Sequence, residues 1–335
     1  MGKLRVASLF SGCGGLDLGF TGAGFELVYA NDNDKDVWKT FEKNHKLKID
    51  KRSILDIKSN EIPDCDGIIG GPPCQSWSLA GAMRGAKDKR GQLFYEYVRI
   101  LKDKKPKFFV AENVPGIISK THKPEFEKLL KEFDKIGYDV NCTLMDSRNY
   151  GVPQERKRVI IVGLDKRLGK RFDFPEPTHA KEPEGSQLPW VTLQEALDGL
   201  PEARPALEKN YANKGLEFSN QEYMNGGFSM IYMSRNRRKD WCDQSYTIQA
   251  GGRHAPLHPD SAEMRKIETD KWDFVGKNPE YRRLSVREAA RIQTVPDEFI
   301  FCYDRIADGY KMIGNAVPVK LAEAIAKKIK IDLKE

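Results

Sequence analysis

The sequence has few cysteines, and their arrangement excludes two common structural roles. None of the six forms a Cys-x-x-Cys pair or has histidine partners at zinc-binding spacing. They are Cys13, Cys65, Cys74, Cys142, Cys242 and Cys302. We therefore expect a protein of a reducing compartment, with no disulfide framework and no bound metal.

The chain also lacks long hydrophobic runs, internal repeats and low-complexity tracts. No apolar stretch approaches the roughly 18 residues that a membrane-spanning helix requires. Residues 1–6 lead directly into a predicted strand and lack the apolar core of a signal peptide. We expect a cytoplasmic protein with no membrane association.

The composition is that of a globular protein, with 39% hydrophobic and 31% charged residues. A chain of 335 residues exceeds the usual size of a single core, so we expect one large domain and a smaller one. The net charge of +7 is compatible with a polyanionic partner and does not by itself indicate one.

Strands alternate with helices through the first half of the chain. The predicted strands are 4–10, 27–30, 66–70, 108–111 and 159–162, and the predicted helices are 92–102 and 124–136. This alternation predicts an α/β fold with a Rossmann-like, doubly wound and mostly parallel sheet, covered on both faces.

The alternation stops at a proline-rich stretch between Pro175 and Pro205, which contains one predicted short helix at 193–200. Residues 210–280 are rich in Gly, Arg, Asn and aromatic residues, and they indicate an irregular small domain. Helical patterns return at 285–293 and 318–330.

A glycine loop, residues 10–15, follows the first strand. The dinucleotide fingerprint G-x-G-x-x-G is not met, because Asp17 stands at the third glycine position. Asp32 ends the second strand, where a carboxylate accepts ribose hydroxyls. A nucleoside such as S-adenosylmethionine fits this pattern better than NAD. The alternative for Asp32 is a solvated turn or helix-capping residue.

The most informative segment is Gly71-Pro72-Pro73-Cys74-Gln75-Ser76, which follows a buried strand. Each proline fixes its φ near −65°, so the segment is stiff. Stiff loops at strand ends hold reactive groups in open α/β sheets. Cys74 is therefore predicted to be a nucleophile, although a lone cysteine is more often an inert buried hydrophobe.

Three further side chains are candidates for the same cleft. Glu112 ends a buried strand, and Arg156 and Arg158 precede another and share a face if that strand begins early. The alternatives are a surface acid and a solvated basic edge. Residues 81–91 carry glycines and basic residues, indicating a loop that closes over an anionic substrate or a plain surface loop.

Together these segments resemble the DNA (cytosine-5) methyltransferases of bacterial restriction–modification systems. Seven motifs follow the order of that family, which makes a chance match very improbable. They are Phe10-x-Gly12-x-Gly14-Gly15, Asp32, Pro72-Pro73-Cys74-Gln75, Glu112-Asn113-Val114, Gln154-x-Arg156-x-Arg158, Arg283-Leu284-Ser285-x-Arg287-Glu288-x-x-Arg291-x-Gln293 and Gly314-Asn315-Ala316-Val317-Pro318.

The resemblance implies roles for particular residues. Cys74, Glu112, Arg156 and Arg158 would be catalytic, and S-adenosylmethionine would be the cofactor. The implied cofactor-binding residues are Phe10, Gly12, Gly14, Gly15, Leu16, Asp32, Asn33, Ser53, Ile54, Pro72, Leu93, Asn315, Ala316 and Val317. Gln75, Ser76 and Arg84 would contact double-stranded DNA.

The resemblance also implies a division of the chain. A catalytic, cofactor-binding domain would span 1–178 and a target-recognition domain 179–281. A hinge at 282–308 would brace the small domain, and 309–335 would return to the catalytic domain. A monomer is expected, with a cognate restriction endonuclease that acts on the same site without forming a complex.

Three positions depart from the family pattern. Asp32 replaces the more common Glu, and Ser53 stands where the family often has an Asp near the adenine. Thr294-Val295-Pro296 replaces the usual Gly-Phe-Pro. These differences concern cofactor affinity more than the reaction.

The small domain is expected to read the DNA sequence. Arginine pairs bidentately with guanine, so Arg235, Arg237 and Arg253 are the predicted guanine-reading residues. The alternative is that they contact phosphates, which position a protein without specifying a sequence. The segments 230–237 and 249–253 also look like those of family members that modify GGCC.

Three other functions compete with this one. A tRNA cytosine-5 methyltransferase of the same fold would keep Cys74 and Glu112 but has a different small domain. A non-catalytic DNA-binding protein would not need these residues intact. An oxidoreductase is disfavoured by the missing third glycine.

Overall fold

The computed structural model describes residues 2–73 and 89–334. Within them the chain forms two compact units. The first comprises 1–146, 157–176 and 319–335, and the second comprises 147–156 and 177–318. No helix in the described stretches is long and apolar enough to cross a membrane.

The first unit is built around a six-stranded sheet. Its strands are β1 (Arg5–Leu9), β2 (Glu26–Asn31), β3 (Gly67–Gly70), β4 (Phe108–Asn113), β5 (Tyr138–Asp146) and β6 (Lys157–Asp165). Its helices are α1 (Gly15–Gly22), α2 (Lys35–His45), α3 (Lys89–Lys104), α4 (Lys123–Lys135) and α8 (Val319–Asp332).

The strand order is β2-β1-β3-β4-β6-β5. The first four strands pair in parallel, while β6 is antiparallel to both of its neighbours. The predicted α/β class is thus confirmed, and the antiparallel pairs of β6 make the mostly parallel sheet a mixed one. The sequence patterns missed β5, because this edge strand is only partly buried and lacks an apolar run.

Buried strands and helix caps explain why these elements form. All four residues of β3 are buried, and a Cβ at Gly67 would lie 2.0 Å from the Phe108 ring. Only glycine therefore lets β3 and β4 pair here. Asp34 caps α2 by accepting a hydrogen bond from the Asp36 amide at 3.1 Å.

The second unit has little regular structure, as predicted. Its strands are β7 (His179–Ala180), β8 (Leu188–Pro189), β9 (Arg204–Pro205), β10 (Glu222–Tyr223), β11 (Met264–Glu268) and β12 (Lys271–Phe274). Its helices are α5 (Leu193–Leu197), α6 (Val286–Ile292) and α7 (Ile306–Asn315). A small core forms around Tyr232, Leu257, Met264 and Phe274.

Candidate active site

An ion pair joins Glu112 and Arg158 at one end of the sheet in the first unit. Antiparallel pairing of β4 with β6 places Glu112 opposite Ile160. The Arg158 Nε then lies 2.7 Å from Glu112 Oε1, and each side chain is only 11% exposed. Exclusion of water strengthens an ion pair, so Arg158 holds the carboxylate in one orientation.

The segment that leads to Cys74 is attached to the same strand end. The Asn113 Nδ2 donates to the Pro72 carbonyl at 2.9 Å, and its Oδ1 accepts from the Val114 amide at 3.0 Å. A Cβ at Gly71 would lie 3.3 Å from Glu112 Oε2. Gly71 therefore lies directly beside the Glu112 carboxylate, and Pro72 is hydrogen-bonded to the residue that follows Glu112.

Four of the predicted site residues lie outside the described residues. They are Cys74, Gln75, Ser76 and Arg84. The structure therefore describes residues 71–73, which lead to Cys74, but not Cys74 itself.

The glycine loop and Asp32 are connected by hydrogen bonds. Asp32 Oδ2 accepts from the Gly12 amide and Oδ1 accepts from the Asp34 amide, both at 2.8 Å. Asp34, not Asp32, supplies the side-chain cap of α2. The Asp32 carboxylate is thus oriented by backbone donors at the end of β2, as a ribose-binding acid would need to be.

The loop itself has the backbone shape that glycines permit. Gly12 and Gly14 have φ values of 56° and 93°. No atom lies within 4 Å of a Cβ built on Gly12, whereas one on Gly14 would lie 1.9 Å from the His45 ring. Open space at Gly12 beside the Asp32 carboxylate fits a nucleoside that donates its ribose hydroxyls.

The other predicted cofactor residues of the first unit have different surroundings. The Ser53 hydroxyl accepts from the Leu55 amide at 3.3 Å. Ile54 is 2% exposed and belongs to the main core, against which Phe10 and Leu93 pack. Gly15, Leu16 and Pro72 are buried, and Asn33 is exposed.

Two titratable residues near the loop, the buried Asp17 and the partly buried His45, were not predicted as functional. Burial raises the pKa of Asp17 to about 7, an effect that the Ser8 hydroxyl partly offsets. Burial lowers the pKa of His45 to about 4. The sequence signal for Asp17 was its position in place of the fingerprint glycine, whereas His45 gave none.

Arg156 belongs to the second unit and is completely buried. Its guanidinium donates to the carbonyls of Ile248 at 3.0 Å, and of Gly314 and Ala316 at 2.8 Å. Because β6 begins at Lys157, the two arginines do not share a strand face. A shared face required this strand to begin earlier, and that condition is not met.

Three predicted cofactor residues also lie in the second unit. Asn315 is exposed at the end of α7, while Ala316 and Val317 are 9% and 6% exposed. A Cβ at Gly314 would lie 2.3 Å from the Ala250 backbone nitrogen. Close packing of residues 249–250 on Gly314 fixes the backbone that leads to Asn315.

The three predicted guanine-reading arginines differ in exposure. Arg235 and Arg253 are exposed, while Arg237 is only 5% exposed. Arg237 donates to the carbonyls of Tyr232 at 2.7 Å and Ile231 at 3.0 Å. Its guanidinium also lies 4.7 Å from the centroid of the Tyr232 ring.

Comparison with known families gives one match over nearly the whole chain. Residues 4–331 match the family described as C-5 cytosine-specific DNA methylase.

Individual relatives give long matches as well. The chain is 59% identical over 333 residues to the type II methyltransferase M.MthTI of Methanothermobacter thermautotrophicus, covering 99% of this chain and 98% of the relative. It is 49% identical over 331 residues to the type II methyltransferase M.NgoPII of Neisseria gonorrhoeae, covering 98% and 95%. A prophage-encoded DNA modification methyltransferase of E. coli superposes with a TM-score of 0.73 at 25% identity, covering 99% of this chain and 100% of that one.

Proposed function

The chain belongs to the C-5 cytosine-specific DNA methylases, and from that premise we propose that Cys74, Glu112 and Arg158 activate a cytosine within GGCC. The enzyme is a DNA (cytosine-5) methyltransferase of the type II restriction–modification class. Its methyl donor is S-adenosylmethionine. The residues, the target and the mechanism below are the content of the proposal.

The Glu112–Arg158 ion pair beside Gly71 is the observation that carries this proposal. The carboxylate is shielded from water and oriented by a guanidinium. It lies next to Gly71, where the segment begins that leads to Cys74, the candidate nucleophile of the motif Pro72-Pro73-Cys74. A pyrimidine ring that carries developing charge on N3 needs such a fixed acid.

Cytosine C5 is too weak a nucleophile to accept a methyl cation equivalent directly, so covalent catalysis is needed. In the proposed reaction the Cys74 thiolate forms a bond to C6 while Glu112, in its protonated carboxylic acid form, delivers a proton to N3, leaving C5 enamine-like. When bound, the cofactor supplies an electrophilic methyl group. A base then removes the C5 proton, the Cys74–C6 bond breaks and the N3 proton returns to Glu112.

The target base must leave the duplex, because C6 is not accessible within stacked DNA. Glu112 would contact the N3 and N4 edge of the extruded base. Arg158 would contact its carbonyl and keep Glu112 oriented through their 2.7 Å pair. The Arg156 guanidinium donates to three backbone carbonyls, so Arg156 would be a positioning residue for the segments at 248 and 314–316.

Asp32 would hold the cofactor through its ribose hydroxyls, with Gly12 and Gly14 allowing close backbone approach. Two backbone amides already orient the carboxylate, which supports this assignment. Ser53, whose hydroxyl caps the turn at 54–56, would contact the adenine edge. Asn315, Ala316 and Val317 would contribute contacts from the far end of the sequence.

The second unit would recognise the DNA sequence, as the division proposed for residues 179–281 implies. Arg237 is buried and donates to two backbone carbonyls, whereas Arg235 and Arg253 are exposed among the described residues, so the latter two are the better candidates for contacts to guanine O6 and N7. Arg237 would set the backbone of 231–232 and present its remaining donor. GGCC is proposed because residues 230–237 and 249–253 look like those of GGCC-modifying family members.

We further propose that the enzyme acts as a monomer in the cytoplasm. Its product protects the site from a cognate endonuclease that recognises the same sequence independently. Analytical ultracentrifugation at micromolar concentration tests the monomer, and a dimer would contradict it.

The experiment that tests the target is bisulfite sequencing of an unmethylated plasmid treated with enzyme and S-adenosylmethionine. Protected cytosines confined to GGCC are expected. Protection in another palindrome would overturn the target and keep the activity. A parallel reaction with tRNA separates DNA from RNA, and methylation of tRNA alone would overturn the choice of substrate.

A further inference from the structure

His254 lies among four arginines in the second unit. It ends a single helical turn, Gly252–His254, and its ring is half-buried. Burial and then the positive charges of Arg237, Arg235, Arg253 and Arg283 lower the pKa of His254 below its usual value. The imidazole is therefore neutral at pH 7.

Hydrogen bonds fix this turn against the segment that carries Arg235 and Arg237. The Leu257 amide donates to the Arg237 carbonyl at 2.9 Å. The Tyr232 hydroxyl donates to the Ala255 carbonyl at 2.9 Å. The position of His254 relative to these arginines is thus set by contacts on its own C-terminal side.

Packing fixes the turn from the other side. A Cβ at Gly252 would lie 2.7 Å from both the Met224 Cε and the Tyr310 Cδ2. The backbone of the turn therefore lies directly on two buried side chains and has little freedom to move. A side chain presented by such a turn is held in a reproducible position.

The chemistry of His254 differs from that of its neighbours. Arginine has five donors and no acceptor, whereas a neutral imidazole offers one donor and one acceptor. Within residues 2–73 and 89–334, no hydrogen bond to either ring nitrogen of His254 is formed. The ring thus brings an available acceptor to a surface otherwise rich in donors.

In the major groove a cytosine presents its N4 amino group, which is a donor, while guanine presents two acceptors. We propose that His254 is a further specificity-determining residue, whose ring nitrogen accepts a hydrogen bond from the N4 amino group of a cytosine in the target site. This inference rests on the proposed function, in which the second unit reads the DNA.

Protonation reverses the role of the ring. An imidazolium donates from both nitrogens, so it no longer accepts from an amino group, and its charge attracts phosphates of any sequence. As the pH falls through the lowered pKa of His254, discrimination between sequences decreases while affinity for unrelated DNA increases.

The test is a fluorescence-anisotropy titration of the full chain with S-adenosylhomocysteine, at pH values from 8.0 to 5.5. Two duplexes are compared: one contains GGCC, and in the other a C·G pair of GGCC that is not methylated is replaced by T·A. The quantity measured is the Kd for the altered duplex divided by the Kd for the GGCC duplex. The proteins compared are the wild type, His254→Gln, His254→Ala and Arg253→Ala. Glutamine keeps an acceptor and does not titrate.

The wild-type ratio should decrease as the pH falls, whereas the His254→Gln ratio should stay constant. His254→Ala should lose about tenfold in the ratio at pH 8, the scale of one good base contact. An equal pH dependence in wild type and His254→Gln would overturn the inference, and this comparison remains decisive if the alanine variant folds poorly.

Failure of the His254 inference and failure of the proposed function of the second unit would give different results. If Arg253→Ala lowers this ratio but His254→Ala does not change it, the role of His254 is wrong and the reading role of the second unit stands. If neither variant changes any ratio, the assignment of sequence reading to this surface fails as well.

Discussion

At the scale of single residues, Arg158 positions Glu112, and Asn113 positions the segment that leads to Cys74. One guanidinium orients the carboxylate at 2.7 Å, and one amide side chain fixes the Pro72 carbonyl at 2.9 Å. Both contacts depend on strand register, because they join residues 46 and 41 positions apart in the sequence. A carboxylate held in this way needs no rearrangement when charge develops on a bound base.

Replacing Glu112 with Gln should lower the methyl-transfer rate by about 10²- to 10⁴-fold, the usual contribution of a positioned acid. The amide keeps the shape of the side chain but has no proton to deliver to N3. Initial rates with radiolabelled S-adenosylmethionine measure the effect, and calorimetry should show cofactor binding unchanged. Glu127→Gln, on the exposed face of α4, is the matched control. Equal rates for the two variants would remove Glu112 from the reaction.

Replacing Asp32 with Asn should weaken cofactor binding by about 10- to 100-fold, since hydrogen bonds to a charged acceptor contribute about 1.5–3 kcal/mol. Calorimetric titration with S-adenosylmethionine measures the change. The control is Asp34→Asn, because asparagine caps a helix as well as aspartate does. Similar losses in both variants would indicate a general effect on the turn and not a ribose contact.

At the scale of elements, the C-terminal helix completes the layer that supports the glycine loop. Helix α8 packs on α1, which begins at that loop. A Cβ at Gly19 would lie 2.4 Å from the Ala322 Cβ and 2.7 Å from the Glu323 backbone nitrogen. The absence of a side chain at Gly19 therefore sets the distance between the two helices.

Two glycine substitutions in α1 should have opposite effects on stability. Gly19→Ala should destabilise the first unit by about 1–3 kcal/mol, the range for overpacked sites. Gly22→Ala should be neutral or stabilise by up to about 1 kcal/mol, because a Cβ there would meet its nearest atom at 4.0 Å. Urea-denaturation midpoints measure both, and destabilisation of equal size would contradict the packing argument.

At the scale of the whole molecule, the sequence predicted the strands that form buried apolar runs. It did not predict the elements whose structure depends on contacts with residues distant in the sequence. The buried apolar runs of β1, β3, β4 and β6 identified most of the sheet. The edge strand β5 and the glycine-containing helices α1 and α7 gave no such signal, because none of the three has a continuous apolar run. The amphipathic helix α2 was also missed.

The sequence motifs predicted which residues form the candidate site, but they did not predict how those residues contact one another. Glu112 and Arg158 were recognised from motifs, while their ion pair required the register of β4 against β6. Arg156 and Arg158 looked equivalent in sequence, yet they lie in different units. A one-residue difference in where β6 begins was sufficient to separate them.

The buried carboxyl of Asp17 should make the stability of the protein depend on pH. Its pKa rises from 3.8 to about 7 on folding. The folded state therefore holds the proton more tightly, and its stabilising contribution is lost as the pH rises from about 4 through 7. Asp17→Asn should have a flatter profile and a higher denaturation midpoint at pH 8, with a gain of at most about 4 kcal/mol. Asp56→Asn, at an exposed position, should follow the wild-type profile; if Asp17→Asn does so too, the carboxyl is not the source.

The central claim is that Cys74 forms a covalent bond to a cytosine of GGCC in a site shaped by Glu112 and Arg158. Replacing the target cytosine with 5-fluorocytosine tests it, because fluorine is not lost as a cation and the reaction stops after methyl transfer with the Cys74–C6 bond intact. With S-adenosylmethionine, a GGCC duplex should give a denaturation-resistant complex, and mass spectrometry should place the link at Cys74. Its absence in the wild type, its persistence in Cys74→Ala or a link at another residue would contradict the account.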